Sequence, residues 1–270
     1  MDKNEIDRHV ETGMAWDVAA GIYVRVEEDD IAMLRSGNLS LLSYERRFLH
    51  DLSDWCGLAI HLQCAGGTDT LSLWKIGAAE VVGVDISENM ITVAQRKSSK
   101  LNAPARWYCC DVLETPRELD NTADLIYTGK GALPWIMDIQ AWAGVVSRLL
   151  KPGGKLYVFE GHPLDWVWDT QATSYQLRSR TGNYFFESVA TDRGWPLFSD
   201  PIQKHHSKDQ FHVHERQWTL GQIMNSLVAE GMLLERFEEH PDLFWNQFPN
   251  LPSELSGCLP HTFSLIMRKA

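Results

Sequence analysis

The sequence predicts an α/β protein on a doubly wound, mainly parallel seven-stranded sheet with an antiparallel edge hairpin. Three observations carry that prediction. Across residues 58–126, short β-rich apolar runs alternate with amphipathic helical stretches, the pattern of repeated strand–helix units and so of parallel strands. A small-residue turn follows the first of these strands, and an acidic residue ends the second. A late helix is then followed by two more strands, which close the sheet as a hairpin at its edge.

The strands are expected at residues 58–62, 81–84, 105–109, 123–127 and 155–160, and the final pair at 233–239 and 262–267. Ser87 is placed as an N-cap, after which Met90, Val93, Ala94, Lys97 and Leu101 share one helical face. A second helix runs through Trp142, Val145, Val146, Leu149 and Leu150, with Pro152-Gly153-Gly154 expected to stop it. The late helix begins at Thr219, keeps its period through Leu220, Ile223, Met224, Leu227 and Val228, and ends at Gly231.

Composition narrows the function classes. The chain is 44% hydrophobic and 23% charged, as ordinary globular proteins are, and carries a formal net charge of −11. That sign disfavours broad contact with nucleic acid phosphates or an anionic membrane, both of which need a basic surface. No apolar run approaches the roughly 20 residues that span a bilayer, and the start MDKNEIDRH is polar, so a cytoplasmic protein is expected. The five cysteines form no C-x-x-C pair and read as reduced thiols.

The local chemistry begins with HLQCAGGTDTLSL at residues 61–73, between the first strand and the first helix. Ala65, Gly66 and Gly67 let backbone press against a ligand, although Gly-rich turns also occur without one. Asp85 follows eighteen positions after Gly67, at the end of the second strand. A carboxylate there can accept from both ribose hydroxyls of an adenosine cofactor, or it can simply cap the next helix. Cys110-Asp111-Val112 ends the third strand, and Tyr127, Thr128 and Gly129 end the fourth, so successive strands deliver polar or small groups to one edge. Residues 63–68 do not supply the G-x-G-x-x-G of nicotinamide enzymes.

With these residues the sequence resembles the class I S-adenosylmethionine-dependent methyltransferases, over about residues 58–161 and again over 218–268. The resemblance implies a Rossmann-like methyltransferase fold, with S-adenosylmethionine as cofactor. It places Gln63, Cys64, Ala65 and Gly67 along the methionine part, Asp85 on the ribose and Ile86 over the adenine. Asp111 and Val112 meet the adenine edge, and Thr128 and Gly129 lie at the sulfonium. The family's first motif usually reads acid, apolar, Gly, any, Gly, any, Gly. Here His61, Gln63, Ala65 and Gly67 hold the acid and glycine positions, which removes the acid that ordinarily meets the cofactor's amino group. The stretch is similar to a branch whose first motif reads L-H-L-Q-C, followed by D-T-L-S.

On this reading the 270 residues form a single methyltransferase domain. Residues 1–50 are a helical N-terminal cap, 51–161 the cofactor-binding half, 162–217 an insertion or lid over the active site, and 218–270 the C-terminal helix and hairpin. Methyl transfer from a sulfonium needs alignment and exclusion of water more than a nucleophile, and a base only if the acceptor must lose a proton. His162, just after the fifth strand, is the candidate for that role; the other reading is a hydrogen-bonded loop histidine. His205, His206, His212 and His214 complete no metal-ligand pattern and read as exposed polar residues, so no metal is expected. Trp135, Trp166, Trp168, Tyr175, Tyr184 and Trp195 either line an acceptor pocket or pack a lid. Lys130, between two glycines, either attracts an anionic group or, as the preferred reading, is a solvated loop lysine. The expected function is methyl transfer to O or N of a small-molecule acceptor, without a nucleic-acid or membrane partner. The alternative is a catalytically inactive S-adenosylmethionine-binding sensor or partner protein. The acceptor and the oligomeric state are open at this point.

Overall fold

In the computed structural model, described for residues 3–178, 182–186, 190–192 and 213–270, seven strands form one sheet. These are β1 (Leu58–Leu62), β2 (Glu80–Asp85), β3 (Ala105–Cys109), β4 (Ala123–Gly129), β5 (Leu150–Gly161), β8 (Met232–His240) and β9 (Thr262–Lys269). Their order is β3-β2-β1-β4-β5-β9-β8. The first five are parallel, and β9 runs antiparallel between β5 and the edge strand β8. Two short strands, β6 (Ala190–Asp192) and β7 (Val213–Glu215), pair separately.

Strand β1 is buried at every position, as a central strand covered on both faces must be. Its side chains divide by the period of two: Leu58, Ile60 and Leu62 enter a core with Trp142, Val146, Ile223 and Leu227. Ala59 joins Tyr127, Tyr157, Phe159, Leu49 and Leu73 on the other face. Helices α6 (Ile139–Leu149) and α7 (Leu220–Ala229) thus cover one face, while α3 (Ser43–Phe48) and α4 (Thr68–Lys75) cover the opposite one.

Caps fix the helix starts. Ser87 accepts from the Met90 N–H at the start of α5 (Glu88–Leu101), and Asp138 accepts from the Ala141 N–H at the start of α6. Thr219 and Gln222 form a capping box on α7. One boundary differs from expectation: α6 ends at Leu149, and β5 begins at once with Leu150. Pro152-Gly153-Gly154 lies inside β5 as an irregularity, where the pairing to β4 shifts between Ala123 and Leu125. Gly153 takes φ +79°, the left-handed conformation such a bulge needs. Helices α1 (Lys3–Arg25) and α2 (Glu27–Arg35) pack against α5, and α1 also contacts β7.

Candidate active site

Between β1 and β4 the strand order reverses, and in sheets of this kind the crevice at the carboxyl ends of those strands receives ligands. A cavity of about 400 Å³ lies there, walled by the loop after β1, the ends of β2 and β3, and the loop after β4. Of the residues singled out as cofactor-binding, Gln63, Cys64, Ala65, Gly67, Asp85, Ile86, Asp111, Val112 and Gly129 line it. Thr128 does not. It is fully buried, and its hydroxyl donates to the Leu62 carbonyl at 3.3 Å, because alternation along β4 turns it into the sheet.

The loop keeps left-handed backbone where the family has glycine: Gln63 and Ala65 adopt φ +59° and +45°, and Gly67 +77°. Gly67 also fills a steric need, since a Cβ there would lie 2.5 Å from the Trp107 ring. The conformation is tied to β2 by Asp85, whose two carboxylate oxygens accept from the Ala65 N–H at 2.7 Å and the Ser87 N–H at 2.9 Å. Burial nonetheless raises the Asp85 carboxyl to about 6, and the backbone N–H groups offset only part of that. Gln63 donates to the Ala132 carbonyl at 2.8 Å, while its buried Oε1 has no donor.

Helix α1 closes the cavity from above. His9, Thr12, Trp16 and Tyr23 line it. These contributions were not anticipated, yet positions 9, 12, 16 and 23 follow the three-and-four spacing of one helical face, which was the available signal. His9 accepts from the Met137 N–H at 3.1 Å through Nε2, so Nδ1 carries the proton that it donates to Asp111 at 2.5 Å. Burial, then the charges of Asp85, Asp69 and Asp30, push the Tyr23 phenol up to about 12.

One end of the cavity is densely charged. Asp30 and Asp69 line it, each ion-paired: Asp30 with Lys97 at 2.5 Å and Asp69 with Lys130 at 2.9 Å. Lys130 is therefore not a solvated loop lysine. Its ammonium also faces Glu45 at 3.2 Å and donates to the Ser40 carbonyl at 3.1 Å. Nothing near Lys130 in sequence announces those partners. His61, in place of the family acid, is buried beside Thr70 at 2.8 Å, and burial lowers it to about 4, so it is neutral at physiological pH.

A second cavity of about 650 Å³ adjoins the first, with Gly131 in the wall of both. His162 belongs to this second cavity, not to the first. Both of its ring nitrogens are engaged: Nδ1 accepts from the Leu164 N–H at 3.1 Å, and Nε2 donates to Glu239 at 3.0 Å. Burial lowers its pKa. Trp166, Phe244 and Trp245 give the cavity aromatic walls. Asp165, raised to about 6 by burial, holds His261 at 2.7 Å and accepts from Gln247 at 2.6 Å. Of the other aromatic candidates, Trp135 lines the first cavity, edge-on to Trp16. Trp168 packs on Tyr175, and Tyr184 packs edge-on to Phe185. His214 is buried, not exposed, and bonds Glu11 at 2.6 Å. Trp195, His205, His206 and His212 lie outside the described residues.

Residues 59–154 match the family model described as a methyltransferase domain. The matched stretch runs from β1 to the bulge of β5 and supplies part of the first cavity's wall, the rest coming from α1, α2 and the segment after them. A demethylmenaquinone methyltransferase of Staphylococcus saprophyticus is 33% identical over 121 residues, covering 44% of this chain and 51% of that relative. The chain spans about half the length of the curated relatives it matches. Among solved structures, an S-adenosylmethionine-dependent methyltransferase from Mesorhizobium loti aligns with a TM-score of 0.59 at 20% identity, over 83% of this chain and 95% of that one. A second, from Listeria monocytogenes, aligns at 0.60 and 19% identity, over 84% and 97%. Residues 59–154 are thus similar to a methyltransferase domain, and the chain shares the fold of these S-adenosylmethionine-dependent methyltransferases. Among the described residues no helix is long and apolar enough to cross a membrane, and no cluster of side chains could hold a metal.

The cavity's donor set fits S-adenosylmethionine. Asp30 aside, which Lys97 balances, Asp69, Asp85 and Asp111 outnumber Lys130 in the wall, which favours a ligand whose sulfonium and ammonium outweigh its carboxylate. The Gln63 Oε1 is an acceptor in want of a donor, and Gly66 and Gly67 admit close backbone approach.

Proposed function

We propose that this protein transfers the methyl group of S-adenosylmethionine to O or N of a small-molecule acceptor, with cofactor in the first cavity and acceptor in the second. The observation that supports this reading is that Gly131 lines both cavities, which makes them neighbours. When bound, S-adenosylmethionine supplies a methyl group already attached to a good leaving group, so the protein's task is alignment and desolvation.

In this reading Asp85 accepts from the ribose hydroxyls while keeping its bonds to Ala65 and Ser87. Ile86 covers one adenine face, and Asp111 with Val112 meets the adenine edge. Gln63, Cys64, Ala65 and Gly67 run along the methionine part, and Gly129 stands near the sulfonium, with Thr128 supporting it from inside the sheet. The aromatic walls of the second cavity hold the acceptor and exclude water. His162 acts there as a positioning residue, because taking a proton at Nδ1 would require it to give up its bond to the Leu164 N–H, while Nε2 already carries the proton donated to Glu239.

Calorimetric titration with S-adenosylhomocysteine tests the cofactor half: micromolar binding by the wild type, weakened at least about tenfold in Asp85→Ala, is expected. No binding by folded wild type overturns it. Incubation with methyl-labelled S-adenosylmethionine and a panel of hydroxyl- and amine-bearing metabolites then tests the acceptor half.

A further inference from the structure

The charged end of the first cavity holds acceptors with no donor, and their arrangement singles out one residue. Asp85 uses both carboxylate oxygens on backbone N–H groups, and Asp111 uses one on the Leu113 N–H and the other on His9. Asp69 differs: Lys130 and the Ser40 hydroxyl both bond its Oδ1, and among the described residues no donor reaches Oδ2. Its side chain keeps 20% exposure in the cavity wall, so the open oxygen is reachable.

Charge separates Asp69 from its neighbour Asp30. Among the described residues Lys97 has Asp30 as its sole acid, so that pair balances. Lys130 is divided between Asp69 and the fully buried Glu45, whose oxygens also accept from the Leu42 N–H and the Tyr127 hydroxyl. Burial raises the Glu45 carboxyl, and in the state with both acids ionised the trio carries a net negative charge. It lies beside neutral His61, so no cation from β1 balances it.

We propose that Asp69, in the first turn of α4, receives the ammonium group of the cofactor's amino-acid tail at Oδ2, with Lys130 and Ser40 holding its other oxygen and Gln63 Oε1 as a second acceptor. This rests on the cofactor reading above. The acid missing from the end of β1 is thereby supplied eight positions later, from the helix that the same loop leads into.

The test is calorimetry on the full chain with S-adenosylhomocysteine, its deamino analogue and 5′-methylthioadenosine, which lacks the tail. Wild type is expected to bind S-adenosylhomocysteine at least about tenfold more tightly than the deamino analogue, the range of a charge-assisted hydrogen bond. Asp69→Asn is expected to erase that preference while leaving 5′-methylthioadenosine within about twofold; Asp30→Asn is expected to retain it. Equal binding of the two tailed ligands by wild type overturns the proposal without any variant, should Asp69→Asn fail to fold. Loss of the preference in Asp30→Asn alone also overturns it. A folded wild type that binds none of the three overturns the cofactor reading, and this proposal with it.

Discussion

His9 and Asp111, 102 positions apart, meet at 2.5 Å, and the same imidazole accepts the Met137 N–H. One side chain from α1 therefore joins the end of β3 to the loop before α6, and the covering helix is fastened to the cavity it covers. His9→Ala would leave a buried N–H and a carboxylate oxygen without partners. The expected cost is about 2 kcal/mol in urea unfolding, accompanied by weaker binding of S-adenosylhomocysteine. Unchanged stability would show that α1 is held by its apolar face alone.

Asp85 gives a pH dependence with a definite sign. The folded carboxyl sits at about 6, above its ordinary value of 3.8. On the proposed reading the ribose hydroxyls donate to the carboxylate, so affinity for S-adenosylhomocysteine should be level above pH 7 and fall about tenfold per unit below 6. The free protein responds oppositely: between the unfolded and folded values the native state binds the extra proton. Stability from this group is thus present below about 4 and lost as pH rises through 6, with Asp165 adding in the same sense. Titrations from pH 5 to 8 check the binding arm, and Asp85→Asn should flatten it. A wild-type profile that persists in the variant assigns the dependence elsewhere.

Trp107 lies under the loop after β1, where a Cβ on Gly67 or Gly83 would fall within 2.5 Å of its ring. Gly67→Ala adds that clash to a left-handed φ, and a loss of about 3 kcal/mol is expected. Adding Trp107→Leu should recover the part due to the clash and leave the part due to the backbone. Strictly additive losses in thermal or chemical unfolding would show that the ring and the loop are uncoupled.

Trp166 stands in the second cavity and not in the first. Trp166→Ala should leave the affinity for S-adenosylhomocysteine within about twofold, yet raise the KM of an identified acceptor severalfold, as loss of a large aromatic contact does. Equal losses for both ligands would mean that the two cavities do not divide the substrates.

What the sequence determined by itself is local and periodic. The strands β1 and β3 lie on the expected residues, and Ser87 and Thr219 cap the expected helices, because side-chain alternation and cap chemistry act within a few positions. The loop after β1 and Asp85 after β2 were legible for the same reason: a strand ends, and the next residues face the crevice. Tertiary structure decided the rest. Lys130 reads as a surface residue until Asp69 and Glu45 are brought to it from elsewhere in the chain, and burial then makes the ion pairs obligatory. His162 follows β5 as expected, but pairing with β9 and β8 sets Glu239 beside it and turns its ring into the second cavity. The cover supplied by His9, Trp16 and Tyr23 likewise depends on where α1 packs, since an amphipathic face specifies that it must be buried and not what it is buried against.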